Sequence, residues 1–316
     1  MTKTNKTLPL FEEYLENIQS NNYSAETVYN YERDLKTFED FLFNDIKTDF
    51  KNIDKRSLIK FKAYLSSVDR LTASAKTGEV KLSSYSINRI LSSLRSYLKF
   101  LIDVDYKTPI SPDSVKLLKT EKKRAQVPEM AELIRLIEAP EKFETDPTIK
   151  LRNRAMLETL FATGMRISEL LSLKREQLDH SGRIYVMGKG KKQRFVYLTP
   201  RSIKCLQNYF STRRDNSPYM FVPYRGRNNQ ARAKKISTNY LQYKIKKYRE
   251  LLFINLPISA HTLRHGFATY LAENGANPAA IQILLGHESL DTTTRYVHAS
   301  DKYAEKSHTK FHPLRQ

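Results

Sequence analysis

The chain of 316 residues contains a single cysteine, Cys205. One thiol excludes an intrachain disulfide and any zinc site built on several cysteines. The opening stretch, MTKTNKTLPLFEEYLENIQ, lacks the apolar run of a secretory leader. No apolar run approaches the roughly 20 residues of a membrane-spanning helix. These absences lead us to expect a cytoplasmic protein in a reducing compartment, with no membrane partner. There is no internal repeat and no low-complexity segment. Acidic residues are scarce. Asp plus Glu number 34 against 54 Lys plus Arg, which leaves a formal charge of +20 and a pI near 9.8. Such an excess points to a polyanionic partner, of which nucleic acid is the commonest. A membrane-surface protein would gather its lysines beside one apolar helix face or a lipidation site. Here Lys and Arg run through the whole chain.

At 40% hydrophobic and 28% charged residues, the composition is that of a soluble globular protein, and the length suggests two domains. The first hundred or so residues carry helical stripes. Phe11, Tyr14, Leu15 and Ile18 form one. Val28, Tyr31, Leu35, Phe38 and Leu42 follow a Ser24 N-cap. Leu58, Phe61 and Leu65 follow an Asp54 cap, and Ile87 to Leu101 follow a serine-rich start at Ser83. This predicts a bundle of about four helices. Its outward residues include Lys36, Lys60, Lys62, Arg89, Arg95 and Lys99, which together suit a surface facing DNA. Apolar periodicity then weakens through KTPISPDSVKLLK and TEKKRAQVPE, a linker signature. The expected organisation is a helical domain over 1–110, a linker over 111–126 and a second domain over 127–316. The second domain reads as helices interrupted by GRIYVMGKGKKQRFVYL, where two β-rich runs flank a Gly-Lys-Gly turn and predict a hairpin. The fold class is therefore mainly α with one small β-sheet.

The chemistry concentrates near the C-terminus. All seven histidines but His180 lie from His261 onward. His261 and Arg264 stand three apart, on one helix face. His287 follows the apolar IQILLG, and Tyr296 sits in TTTRYVH. Upstream are Arg166 in TGMRISEL and Lys189 at the hairpin tip. Two arginines, a lysine, two histidines and a tyrosine suit a single phosphate. Guanidiniums neutralise and orient non-bridging oxygens through forked hydrogen bonds, and histidines donate or shuttle protons. A tyrosine is a competent nucleophile at phosphorus once its proton leaves, and a lysine can protonate the departing oxygen. Taken one at a time, each has a plainer reading: surface charge for Arg166, a solvated turn for Lys189, packing for Tyr296. His261 and His265 have zinc spacing, but position 262 is Thr where a metalloprotease helix needs Glu, and no third ligand follows. Gly188 and Gly190 belong to no phosphate-binding glycine motif. No acidic cluster suggests a metal-dependent nuclease. No cofactor is expected.

The motifs ATGMRISELLSL, GKGKKQRFVYL, HTLRHGFATYLAENGA and IQILLGHESLDTTTRYVH, in this order, resemble the tyrosine recombinases, the phage-integrase and Xer-type site-specific enzymes. The resemblance covers most of residues 125–300. The N-terminal bundle looks, less specifically, like the family's SAM-like core-binding domain. The resemblance implies Arg166 and Arg264 as paired catalytic arginines, Lys189 as the hairpin lysine, His261 and His287 as the two histidine positions, and Tyr296 as nucleophile. Glu169 matches an acidic position that supports the arginine. It further implies double-stranded DNA with a specific recombination site as partner, a 3′-phosphotyrosyl intermediate, and a homotetramer on two sites working through a Holliday junction. An accessory or activator protein stays open as a further partner. So does the role of the C-terminal tail, with Tyr303, Ala304, Phe311 and Leu314 as its few apolar anchors: docking on a neighbouring protomer, or a frayed end. A type IB topoisomerase uses nearly the same phosphate chemistry and is the main alternative. A DNA-binding protein without catalysis explains the charge but not Tyr296 and its companions.

Overall fold

A computed structural model describes residues 8–67, 81–120, 126–179, 181–188, 193–224 and 235–286. Lys189, His287, Tyr296 and the C-terminal tail lie outside them. The chain divides into two compact units between residues 123 and 124.

The first unit is helical. Helices α1 (Phe11–Ser20), α2 (Ala25–Asp40), α3 (Lys55–Ser66) and α4 (Ser84–Asp103) surround one apolar core, and a π turn over Phe41–Asp45 extends α2. The caps follow from residue type. Ser24, Asp54 and Ser83 each stand in extended backbone and accept a hydrogen bond from an amide in the first turn, satisfying one of the donors a helix start leaves open. The apolar stripes converge inward. Leu35, Phe38, Phe61, Leu91, Leu94 and Leu98 are fully buried. The segment after α4 has no helical period yet it packs. Ile110 and Val115 join the core, and the Asn88 side chain pins Leu118 by accepting from its N–H and donating to its carbonyl. Two of the expected DNA-facing cations also bond to groups within the unit. Arg89 holds the buried Asp34, and Arg95 donates to the Val115 carbonyl. Periodicity places an arginine on a face, but a long side chain can curl back from it.

The second unit is built around α6 (Pro147–Thr163), packed by α5 (Met130–Phe143), α8 (Pro200–Ser211) and α10 (Ala260–Glu273). Asp146 caps α6, Pro147 opens it and Gly164 closes it in left-handed backbone. A side chain in place of that glycine would be strained. Its φ is +61°, and an added Cβ would lie 2.3 Å from the Phe267 ring. After the turn come α7 (Ile167–Ser172) and the antiparallel pair β1 (Arg183–Met187) and β2 (Gln193–Tyr197), in register Ile184↔Val196. Along β2 the burial alternates, with Arg194 and Val196 inward, as a pleated strand with one covered face requires. Helices α9 (Thr238–Leu251) and α11 (Pro278–Leu285) complete the described part. Because α6 is covered on all sides, its polar residues need internal partners. Arg154 pairs with Glu158 at 2.6 Å. Arg152 donates to the Val222 carbonyl at 2.9 Å and lies over the rings of Tyr224 and Tyr240.

Candidate active site

The site grows from the turn between α6 and α7. Gly164 reverses the chain, Met165 is buried beneath it, and Arg166 stands in extended backbone as the N-cap of α7. Arg166 offers no capping oxygen, so the cap closes the other way. The Glu169 carboxylate, one helical turn on, accepts from the Arg166 N–H at 2.7 Å and from its Nη1 at 2.9 Å. This folds the Arg166 side chain back against its own helix start, where a carboxylate also meets the positive end of the helix dipole. The Arg166 side chain remains 38% exposed.

Arg264 reaches the same turn from a distant part of the chain. Ser259 caps α10 through a reciprocal pair of bonds with Thr262, and two residues on from Thr262 the helix points Arg264 inward, 4% exposed. Its Nη1 donates to the Gly164 carbonyl at 2.9 Å, and its Nη2 donates to the Leu285 carbonyl at 2.6 Å. One planar group thus ties the closing carbonyl of α6 to that of α11, the polarity a cation at a helix C-terminus prefers. The structure therefore brings together Arg166, Glu169 and Arg264. His261 lies one turn before Arg264 on α10 and is exposed. His265, one turn farther along, is half-buried. Burial first, and the charge of His261 second, push its pKa below the ordinary imidazole value, which favours the neutral ring.

Glu169 has a second partner that the sequence reading missed. Arg194, on the inward face of β2, donates from Nη1 and Nη2 to both Glu169 oxygens at 3.0 and 2.7 Å. Its Nε donates to the Leu284 carbonyl at 2.9 Å. Burial on its own would raise the Glu169 pKa. The Arg194 hydrogen bonds, with the Arg166 N–H, the Arg194 charge and the Arg166 side-chain hydrogen bond, outweigh it and hold the carboxyl below the usual range. The signal was present in QRFVY. If Val196 faces the core, so does Arg194 two residues earlier, and a buried arginine demands an acceptor.

Comparison with known proteins gives a consistent result. The sequence model of the phage integrase family matches residues 128–303. That of the phage integrase N-terminal SAM-like domain matches residues 11–104. The tyrosine recombinase XerD of Staphylococcus epidermidis is 33% identical over 312 residues, covering 96% of this chain and 98% of that one. Among solved structures, the XerH site-specific recombinase bound to palindromic difH substrate in a post-cleavage complex is similar, with a TM-score of 0.70. It is 23% identical, and the match covers 93% of this chain and 83% of that one. A lambda integrase tetramer bound to a Holliday junction has a TM-score of 0.66 at 16% identity, covering 91% of this chain and 80% of that one.

Proposed function

The chain belongs to the phage integrase family, the DNA strand-transferring tyrosine recombinases, and from that premise we propose how its own residues carry out site-specific recombination. The observation that carries the reading is the convergence of Arg166 and Arg264 on the Gly164 turn from two helices far apart in sequence. In this reading the two guanidiniums receive the non-bridging oxygens of one DNA phosphate. They stabilise the extra negative charge of the pentacoordinate transition state without reorganising, which is where fixed donors are most effective. Glu169 holds Arg166 in place and touches no substrate.

Tyr296 attacks the phosphorus. A bond forms between its oxygen and phosphorus, the bond to the 5′-oxygen breaks, and a 3′-phosphotyrosyl link results. The tyrosine proton passes to a neighbouring base, for which His261 and His287 are the candidates. The departing oxygen takes a proton from Lys189. One phosphodiester is exchanged for another, so no high-energy cofactor is required, and the freed 5′-hydroxyl can attack a partner duplex. The substrate is double-stranded DNA in the cytoplasm, which the +20 charge suits. Assembly as a tetramer on two sites through a Holliday junction is supported by the similarity to lambda integrase in that state.

The test is covalent capture. Incubation with DNA followed by SDS is expected to trap a protein–DNA adduct with EDTA present throughout, because arginines supply the positive charge. Tyr296→Phe, which loses only a hydroxyl, is expected to abolish the adduct while DNA binding by gel shift persists. An adduct formed by Tyr296→Phe would remove Tyr296 as nucleophile.

A further inference from the structure

Arg194 has no assigned part in the chemistry, and its surroundings give it one. It is 8% exposed. Its three guanidinium nitrogens are all engaged, two on Glu169 and one on the Leu284 carbonyl. The stem is confined as well. A Cβ added at Gly286 would lie 3.0 Å from Arg194 Cδ, so the left-handed glycine that ends α11 is also the gap through which the side chain passes.

These bonds close a ring. Arg166 binds Glu169, Glu169 binds Arg194, and Arg194 binds the carbonyl of Leu284. The next carbonyl, of Leu285, binds Arg264, and Arg264 binds the carbonyl of Gly164, two residues before Arg166. Both arginines assigned to the phosphate belong to this ring, which the backbone from Gly164 to Arg166 closes on one side and Arg194 closes on the other. Without it, among the described residues, Glu169 keeps only Arg166, and the Leu284 and Leu285 carbonyls keep only Arg264 as a side-chain donor. A carboxylate gripped by a rigid fork has one orientation, whereas one facing a single partly exposed arginine can rotate toward water.

We propose that Arg194 is a positioning residue for strand transfer: from its buried seat on β2 it fixes the Glu169 carboxylate and thereby aims Arg166 at the phosphate in register with Arg264. The inference rests on the recombinase reading above. It also gives β2 a second duty, since the strand that leads away from the Lys189 turn then sets the aim of the first arginine.

The test separates aim from mere stability by removing the charge that Arg166 neutralises. The probe is a synthetic duplex carrying the sequence that wild-type protein captures covalently from a random-sequence pool. It is made with an ordinary scissile phosphate or with a methylphosphonate there, which lacks one anionic oxygen. Single-turnover adduct formation is measured at saturating protein. Arg194→Met is expected to slow cleavage of the ordinary duplex by about 10²-fold, the scale of a small misplacement of a catalytic group. On the methylphosphonate the gap to wild type should shrink to within about threefold, because the mis-aimed guanidinium is no longer needed. Arg166→Ala should show the same rescue. If Arg194→Met leaves a buried carboxylate that prevents folding, Arg194→Lys keeps a charge beside Glu169. It should be roughly tenfold slower on the ordinary duplex for the one or two hydrogen bonds it forgoes, again with rescue. Folded Arg194 variants that cleave the ordinary duplex at the wild-type rate overturn the proposal. So does an equal deficit on both duplexes, which would mean Arg194 acts on something other than Arg166. Wild-type protein that forms no Tyr296-dependent adduct on any duplex overturns the recombinase reading and this inference with it.

Discussion

Each unit of the molecule buries a carboxylate against arginine, Asp34 in the first and Glu169 at the candidate site of the second, and these two differ in kind. In the N-terminal unit Asp34 takes Nη1 of Arg89 on both oxygens and the Ser93 hydroxyl at 3.0 Å. Arg89 is 40% exposed on its side-chain surface and offers only that one nitrogen to Asp34. In the C-terminal unit Glu169 is gripped by a buried fork from Arg194 and by the side chain and N–H of Arg166. Burial raises Asp34 above the ordinary carboxylate pKa, outweighing Arg89, Ser93 and the charge of Arg33. At Glu169 burial is again the largest single influence, yet the donors together reverse it. One half-solvated arginine does not fully offset the desolvation of a carboxylate, while a buried bidentate arginine with a second cation does. The first arrangement staples α2 to α4. The second holds a carboxylate in one orientation.

Neutral isosteres are expected to widen this difference the most. Glu169→Gln leaves Arg194 as a buried cation without its counter-charge, a loss of about 3–5 kcal/mol in the C-terminal unit. Asp34→Asn replaces a group already biased toward its neutral form, and should cost the N-terminal unit about 1 kcal/mol, the value of an ordinary hydrogen bond. Native-state hydrogen exchange reads the two units separately. The reverse ranking would break the comparison.

A smaller effect sharpens the division between staple and aim. Removing Arg264 takes away a fixed donor, so Arg264→Ala should slow single-turnover adduct formation by about 10²–10³-fold. Arg89→Ala should instead cost the N-terminal unit about 1–3 kcal/mol, because water reaches the exposed side of Asp34 and replaces part of the lost partner. Its cleavage rate at saturating protein should match wild type at a temperature where both are folded. An Arg89→Ala protein that binds DNA fully but fails to cleave would show that the first unit shares in the chemistry.

The fold class, and the residues proposed for the site, were legible in the sequence for separable reasons. Helices with long apolar stripes and a Ser or Asp start, such as α2, α3 and α4, declare themselves by period and cap. The hairpin declares itself by a change of period around Gly-Lys-Gly. Arg166 and Arg264 stood out because phosphate chemistry would limit the residue types that can serve it, and the structure places both at the Gly164 turn. What escaped were contacts that depend on how a long side chain bends and on what lies across the fold. Arg89 and Arg95 stand on the outward side of the α4 stripe, yet they curl back to Asp34 and to the Val115 carbonyl. Asp34 falls beside Leu35 with nothing local to mark it as buried. Arg194 hid within a run of basic residues, GKGKKQR, where it read as one more surface cation. Only the strand alternation separates it from its neighbours. Its partners Glu169 and Leu284 are supplied by α7 and α11, which no local pattern connects to β2.

The smallest predicted effect is the most diagnostic, since the two carboxylates should respond to pH with opposite sign. Glu169 has a folded pKa below its ordinary 4.5. Between those two values the unfolded chain binds more protons than the folded one, so its contribution is complete above about pH 4.5 and fades as pH falls through the folded value. Asp34 has a folded pKa above its ordinary 3.8. In that window the folded chain holds the extra proton, so its contribution is complete below about pH 3.8 and fades as pH rises through the folded value. The amides introduced by Asp34→Asn and Glu169→Gln do not titrate, so subtracting each variant from wild type isolates the group it replaces. Hydrogen exchange of each unit from pH 3 to 6 should then give a wild-type-minus-variant difference that falls with rising pH for Asp34 and rises with pH for Glu169. Neither slope should exceed about 1.4 kcal/mol per pH unit, the limit for one proton. Slopes of the same sign would mean that Arg89 protects Asp34 as fully as Arg194 and Arg166 protect Glu169, and the distinction between staple and aim would have to rest on geometry alone.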